Sequence, residues 1–228
     1  MAKGLEGRIK TECLVIGNGL AGLSAAWELA KEGKEAILVE KSGSYTNSSS
    51  NSLAGGLNSV SPESQIGIPP DSIDALVANT LKNGSNLNCE SVVRMCGERF
   101  YPDVIKWLED TFDVIFDRGL HREGSEIARV HHISDHTGRD IMKKMYEKVS
   151  NHPNVRILKD HMAFDLITRN WINNVLMETD VCKGCYVYDT IEKTVRTVEA
   201  EGVFVASGSL GAIFPAYSCP DTATGDGF

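Results

Sequence analysis

Residues 13–16 form a wholly apolar run, Cys-Leu-Val-Ile, and a second one, Ala36-Ile37-Leu38-Val39, follows after a stretch rich in helix formers. Runs this short with no polar alternation predict strands buried on both faces, as in a parallel sheet, and the segment between them, Leu23 to Ala30, predicts the crossover helix. Val155 to Leu158 reads as a third strand of that sheet, reached through a helix over Thr137–Val149. Three segments then alternate apolar and polar positions, around 162–168, 181–188 and 194–200, which predicts an antiparallel meander. Glu201 to Gly208 returns to a buried parallel strand ending in small residues, Ala206, Ser207 and Gly208, which would let backbone approach a bound cofactor. Between the second and third of the parallel strands, Asp71 is expected to cap a helix from Ile73 that closes near Gly84. A second helix spans about Glu90–Glu109, kinked or restarted at Pro102, and Phe112–Asp117 reads as a short strand. The fold class is α/β: a Rossmann-like parallel sheet flanked by helices, with an antiparallel β-meander.

The junction between the first strand and helix carries the chemistry. It reads Gly17-Asn18-Gly19-Leu20-Ala21-Gly22, a Gly-x-Gly-x-x-Gly turn. Gly17 allows a tight turn, Gly19 lets backbone N–H groups approach a pyrophosphate at the positive end of the helix dipole, and Gly22 allows close packing of helix on strand. Glu40 ends the second strand eighteen residues past Gly22, near the roughly 20-residue offset at which an acid meets the adenosine ribose. A dinucleotide is implied, and this half-site alone does not separate NAD from FAD. The polar stretch from Ser42 to Asn58 ends in Gly55-Gly56. Its hydroxyls and exposed amides suit a second phosphate or a flavin edge, so an ordered, cofactor-embracing loop is expected rather than a linker.

At 228 residues, with 42% hydrophobic and 24% charged residues, the chain has the composition of an ordinary globular protein. A net charge of −8 disfavours nucleic acid or an anionic membrane as partner, no run of 18 apolar residues exists, and the first residues lack the apolar core of a signal peptide. A cytoplasmic protein without membrane insertion is expected. The six cysteines show no disulfide-framework spacing; Cys182 and Cys185 form a lone C-x-x-C on an alternating segment and read as plain strand cysteines. Four histidines fall within 121–136, but adjacent His131 and His132 would point to opposite faces of a strand, so solvated or hydrogen-bonded histidines are expected rather than a metal site.

Taken in order, Gly17 to Gly22, Glu40-Lys41, Ser49-Ser50 leading to Gly55-Gly56, Asp135-His136-Thr137-Gly138-Arg139, Val205 to Gly208 and Thr224-Gly225-Asp226-Gly227 resemble the flavoprotein family of L-aspartate oxidase and the fumarate reductase and succinate dehydrogenase flavoprotein subunits. The resemblance covers Val15 to Phe228 and implies the N-terminal part of a glutathione-reductase-like FAD-binding domain, incomplete within residues 1–228, with the capping domain and remainder absent. It implies FAD. Asn18 to Ala21 would cradle the pyrophosphate, and Glu40 and Lys41 would flank the adenosine. Ser49, Ser50, Asn51, Ser52, Leu53, Ala54, Gly55 and Gly56 would wrap the diphosphate and flavin. Backbone at Met162 and Ala163 would meet the adenine, the Ala206–Gly208 end would abut the cofactor, and Asp226 would approach the ribityl chain. Ser49 holds the place of the histidine that links covalently to flavin in membrane-complex members, so the FAD would be non-covalent. Ala54 stands where a Gln commonly precedes the paired glycines.

Within the family, Leu120-His121-Arg122-Glu123-Gly124 and Arg129-Val130-His131-His132 look most like L-aspartate oxidase, although Ser125-Glu126-Ile127 replaces a Gly-His-Ser-like run. Glu123 would recognise the α-ammonium group that aspartate has and succinate lacks. The implied reaction is oxidation of a small dicarboxylate, L-aspartate to iminoaspartate at the start of NAD biosynthesis, by hydride transfer to FAD. The catalytic arginines and histidines of the family lie beyond the Gly-Asp-Gly segment, so this chain is expected to be one part of a longer or split flavoprotein and not to turn over alone. A fumarate or succinate oxidoreductase and a flavin-binding electron-transfer module are the alternatives.

Overall fold

The computed structural model describes residues 7–122, 126–134, 136–168 and 180–227. These divide into two compact units, one within Met1–Ser52 and Met145–Phe228, the other within Leu53–Lys144.

The first unit is built on a six-stranded sheet. It comprises β1 (Arg8–Ile16), β2 (Ala36–Glu40), β5 (Val155–Lys159), β6 (His161–Thr168), β7 (Cys182–Asp189) and β8 (Thr194–Val205), in the order β5-β2-β1-β8-β7-β6. β5, β2, β1 and β8 run parallel, with Cys13 to Ile16 paired with Ala36 to Val39 and with Gly202 to Val205. β6, β7 and β8 form the antiparallel meander on the same sheet. Leu14, Val15 and Leu38 are fully buried although Leu14 and Val15 face opposite ways, because both faces are covered. One face holds Leu14, Ile37, Val39, Leu158, Val187 and Val198 together; helix α1 (Leu20–Lys31) packs on β1 and β2 through its buried Leu23, Ala26 and Ala30. Cys185 lies in the sheet core with its thiol pushed up to about 12 by burial, with Cys182 adding to the rise; all six cysteines are free. A thiol held protonated is a packing group, as expected for a strand cysteine.

β8 corrects the expectation of two separate strands over 194–208. It runs unbroken for twelve residues, pairing with β7 through Glu199 and with β1 to its end. Nor is its far end buried: past the last partner on β7, Phe204 is 57% and Val205 49% exposed.

The second unit contains β3 (Leu57–Asn58), α2 (Pro62–Gln65), α3 (Ile73–Asn83), α4 (Glu90–Phe100), α5 (Lys106–Phe112) and β4 (Val130–His131). β3 and β4 form a short antiparallel pair, α3 packs on α4, and α6 (Thr137–Ser150) begins in this unit and ends in the first. Two expectations change here, the α3 cap and the strand over 112–117, while the interruption expected at Pro102 takes the form of a π turn. The α3 cap is Ser72, whose hydroxyl accepts from Ala75 N at 3.1 Å, and not Asp71, which is drawn into a buried ion pair with Arg129 at 2.8 Å. Pro102 cannot donate, and the chain widens into one π turn, Tyr101–Ile105, before α5 continues to Phe112. Residues 113–117 are no strand: Asp113 takes a left-handed conformation (φ 54°) that stops α5, and Val114 is buried. The histidines also differ from a solvated reading, since His131 and His132 are 8% and 7% exposed. His131 sits between Tyr101 and Phe116, and desolvation holds its imidazole below the usual value. Among the described residues no group of three or more side chains is arranged to hold a metal ion.

Candidate functional site

A cavity of about 610 Å³ opens in the first unit at the carboxyl ends of β1, β2 and β8, where open α/β sheets bind ligands. Ile16 to Gly19, Val39 to Ser42 and Val205 to Ser209 bring those three strand ends to its wall.

The glycine turn is fixed by the sheet on either side. Gly17 N donates to the Val39 carbonyl at 2.9 Å and Ala206 N to the Ile16 carbonyl at 2.8 Å. Gly17 has φ +106°, and a Cβ there would collide with the Ala206 carbonyl; a Cβ on Gly22 would collide with the Gly17 carbonyl. Both positions therefore demand glycine for backbone reasons. Gly19 differs: its Cβ would make only ordinary contacts, with Ser50 Oγ at 3.4 Å and Ser48 Cβ at 4.0 Å, so the fold tolerates a Cβ there, at the wall of the cavity. Gly19 caps α1 without a side-chain cap, and no acid occupies the first turn, which leaves the helix N-terminus electropositive at the cavity wall.

The serine-rich loop is ordered and largely self-bonded. Ser44 Oγ accepts from Thr46 N at 3.2 Å, Ser48 Oγ donates to the Tyr45 carbonyl at 2.9 Å, and Tyr45 stacks on Tyr146 at 4.4 Å. Ser49 and Ser50 reach the cavity, and Ser50 Oγ accepts from Leu20 N at 3.2 Å. Asn51 and Ser52 close the turn through bonds to the Ser48 and Ser49 carbonyls. Leu53, Ala54, Gly55 and Gly56 fall in the second unit, where the Leu53 carbonyl accepts from Gly138 N and Gly56 lies against the His131 carbonyl.

Met162 and Ala163 also line the cavity, where β6 bulges between Ala163 and Asp165. Asp226 lines it too; burial alone would raise its carboxyl, but hydrogen bonds from Lys41 and Thr224 outweigh that and hold it below the usual range. His161, Ser48 and Thr222 also line the cavity and were not singled out from sequence. His161 bonds the Lys159 carbonyl through Nδ1 at 2.6 Å just past a left-handed Asp160, a tight strand-to-strand corner that carries no motif. Glu123 and Asp135 lie outside the described residues.

Two wall residues show what the cavity suits. Asn18 and Glu40 are each only 5% exposed, and each keeps one buried polar atom, Asn18 Nδ2 and Glu40 Oε2, without a hydrogen-bond partner. Glu40 Oε1 is already held by Ser42 N and Oγ, both at 2.6 Å. A donor beside an electropositive helix end and a free acceptor at the end of β2 match a diphosphate and a ribose hydroxyl, the common half of the dinucleotides. The model of one family, described as the FAD binding domain, matches residues 12–228.

The chain belongs to the FAD binding domain family. Its cofactor is FAD, and the two orphaned polar atoms and the uncapped helix fit its ADP half. The chain is similar to the L-aspartate oxidase of Vibrio cholerae (32% identical over 95% of this chain and 40% of that protein) and to the chloroplastic L-aspartate oxidase of Arabidopsis thaliana (35% identical over 93% of this chain and 32% of that protein). It thus spans about a third to two fifths of the length of these relatives. Its fold is similar to a chain of the E. coli quinol fumarate reductase (TM-score 0.82, 20% identical, covering 97% of this chain and 36% of that one).

Proposed function

We propose that this chain supplies the FAD-binding part of an FAD-dependent oxidoreductase acting on a small dicarboxylate, L-aspartate in the first instance. The observation that carries the cofactor half is the cavity wall in which Asn18 and Glu40 keep buried polar atoms without protein partners. Similarity to L-aspartate oxidases supports the substrate half. When bound, FAD supplies the hydride acceptor for oxidising a C–H bond. The chain's own residues orient it: the α1 N-terminus and Asn18 meet the diphosphate, Glu40 Oε2 accepts from a ribose hydroxyl, and Met162 and Ala163 offer backbone to the adenine. Ser49, in place of a linking histidine, keeps the attachment non-covalent. Glu123 recognises the substrate ammonium by charge pairing. The site works in the cytoplasm, and among the described residues no helix is long and apolar enough to cross a membrane.

Anaerobic addition of L-aspartate or succinate to the FAD-loaded protein tests the substrate reading. Bleaching of the visible flavin band by aspartate alone supports it. Bleaching by succinate assigns a fumarate or succinate oxidoreductase instead, favoured on fold by the fumarate reductase neighbour. Retained flavin that neither compound bleaches assigns this chain a flavin-carrying role with the oxidising groups elsewhere.

A further inference from the structure

Residues 222–227 fold back onto the turn that follows β2. Lys41 Nζ donates to Asp226 Oδ2 at 2.5 Å and to Thr224 Oγ1 at 2.6 Å, and Thr224 Oγ1 donates to Asp226 Oδ1 at 2.7 Å. Thr222 Oγ1 donates to the Asn47 carbonyl at 2.5 Å. Lys41, Asn47, Thr222, Ala223, Asp226 and Gly227 all line the same cavity, so these bonds join parts of its wall that lie 175 to 185 residues apart in the chain. The Lys41 and Asp226 side chains are about a quarter exposed, 27% and 24%, which shields the pair from solvent more than an ordinary surface pair.

The ammonium of Lys41 therefore spends two of its three donors on Asp226 and Thr224, and its charge is neutralised by a carboxylate. A lysine committed in this way is a poor direct partner for a diphosphate. We propose that Lys41 is a positioning residue: it holds the 222–227 segment as a polar latch against the cavity, and FAD retention depends on it through Asp226. This rests on the FAD-site reading above. The hydrogen bonds that hold the Asp226 carboxyl ionised support it, since the latch needs that charge.

A double-mutant cycle on FAD affinity and dissociation rate tests the latch, using Lys41→Met, Asp226→Asn and the pair, with Lys41→Arg as the conservative variant and thermal unfolding as a fold control. Each single change should weaken FAD binding about tenfold and speed release. The pair should bind no more weakly than Asp226→Asn alone, and Lys41→Arg should recover most of the loss because it keeps the charge and donors. Multiplicative losses, about a hundredfold in the pair, would show Lys41 touching the cofactor independently and overturn the proposal, as would a Lys41→Met protein that holds FAD like the wild type. A wild-type protein that binds no FAD at all would instead remove the cofactor reading on which the latch stands.

Discussion

Glu40 and Asp71 are carboxylates of nearly equal burial, 5% and 6% exposed, one in each unit. Asp71 is given a counterion by the protein: Oδ1 accepts from Ser72 N at 2.8 Å and faces the guanidinium of Arg129, itself only 3% exposed, while Oδ2 is buried without a hydrogen-bond partner. Glu40 has no cation among the described residues; Ser42 satisfies one oxygen, and the other is buried at the cavity wall without a partner. Removing an acid from water is costly, and a fold recovers that cost only by pairing it. A buried acid with its counterion in the chain belongs to the architecture. What separates the two is the counterion, and a buried acid without one at a cavity wall is the one open to a ligand.

That contrast breaks first at Asp71. Replacing it with Asn strands Arg129 without a counterion in the interior and should cost about 3–5 kcal/mol, read by urea unfolding, while folded protein keeps its FAD affinity. An unchanged unfolding midpoint would mean the pair is not architectural. Gly19→Val comes next, because a Cβ there makes only ordinary contacts, with Ser50 and Ser48, and stands at the cavity wall. FAD affinity should fall roughly a hundredfold, about 2.7 kcal/mol, with little change in melting temperature; a collapsed fold would place Gly19 with Gly17 and Gly22 as a backbone requirement.

Glu40→Gln keeps an acceptor for Ser42 and removes the free carboxylate oxygen. FAD binding should weaken about tenfold, about 1.4 kcal/mol, while stability moves by less than about 1 kcal/mol; a large stability loss would make Glu40 a second Asp71. The smallest effect is the acid dependence of the latch. Asp226 has its carboxyl lowered in the fold, so its contribution is present above the ordinary carboxylate range and is lost as pH falls through the lowered value. FAD release by stopped-flow should accelerate only at the acid end of that range, and acceleration already near neutrality would point to another group.

Much of the sheet unit is legible in sequence because its signals are local. Leu14, Val15, Leu38 and Val39 are apolar without alternation, and the glycine turn sits where strand meets helix. What escapes is decided across distance. Residues 194–200 alternate and 201–208 do not, so they read as two strands, yet β1 pairs with one continuous β8 to Val205, and only the end of β7 changes its surroundings. Phe112, Val114 and Phe116 alternate like a strand, although a left-handed Asp113 simply ends α5 there. Asp71 and Ser72 are equally good caps in isolation, and Arg129, 58 residues onward, takes one of them. In the cavity, Gly17, Gly19 and Glu40 carry a motif. His161 and Thr222 arrive through chain reversal and carry none.

The central claim, that the cavity under the glycine turn holds FAD, is tested most directly by calorimetric titration of FAD into the wild-type chain and into Gly19→Val. Saturable, stoichiometric binding that the substitution weakens about a hundredfold is the predicted result; no binding to the wild type, or identical binding to both proteins, would contradict it.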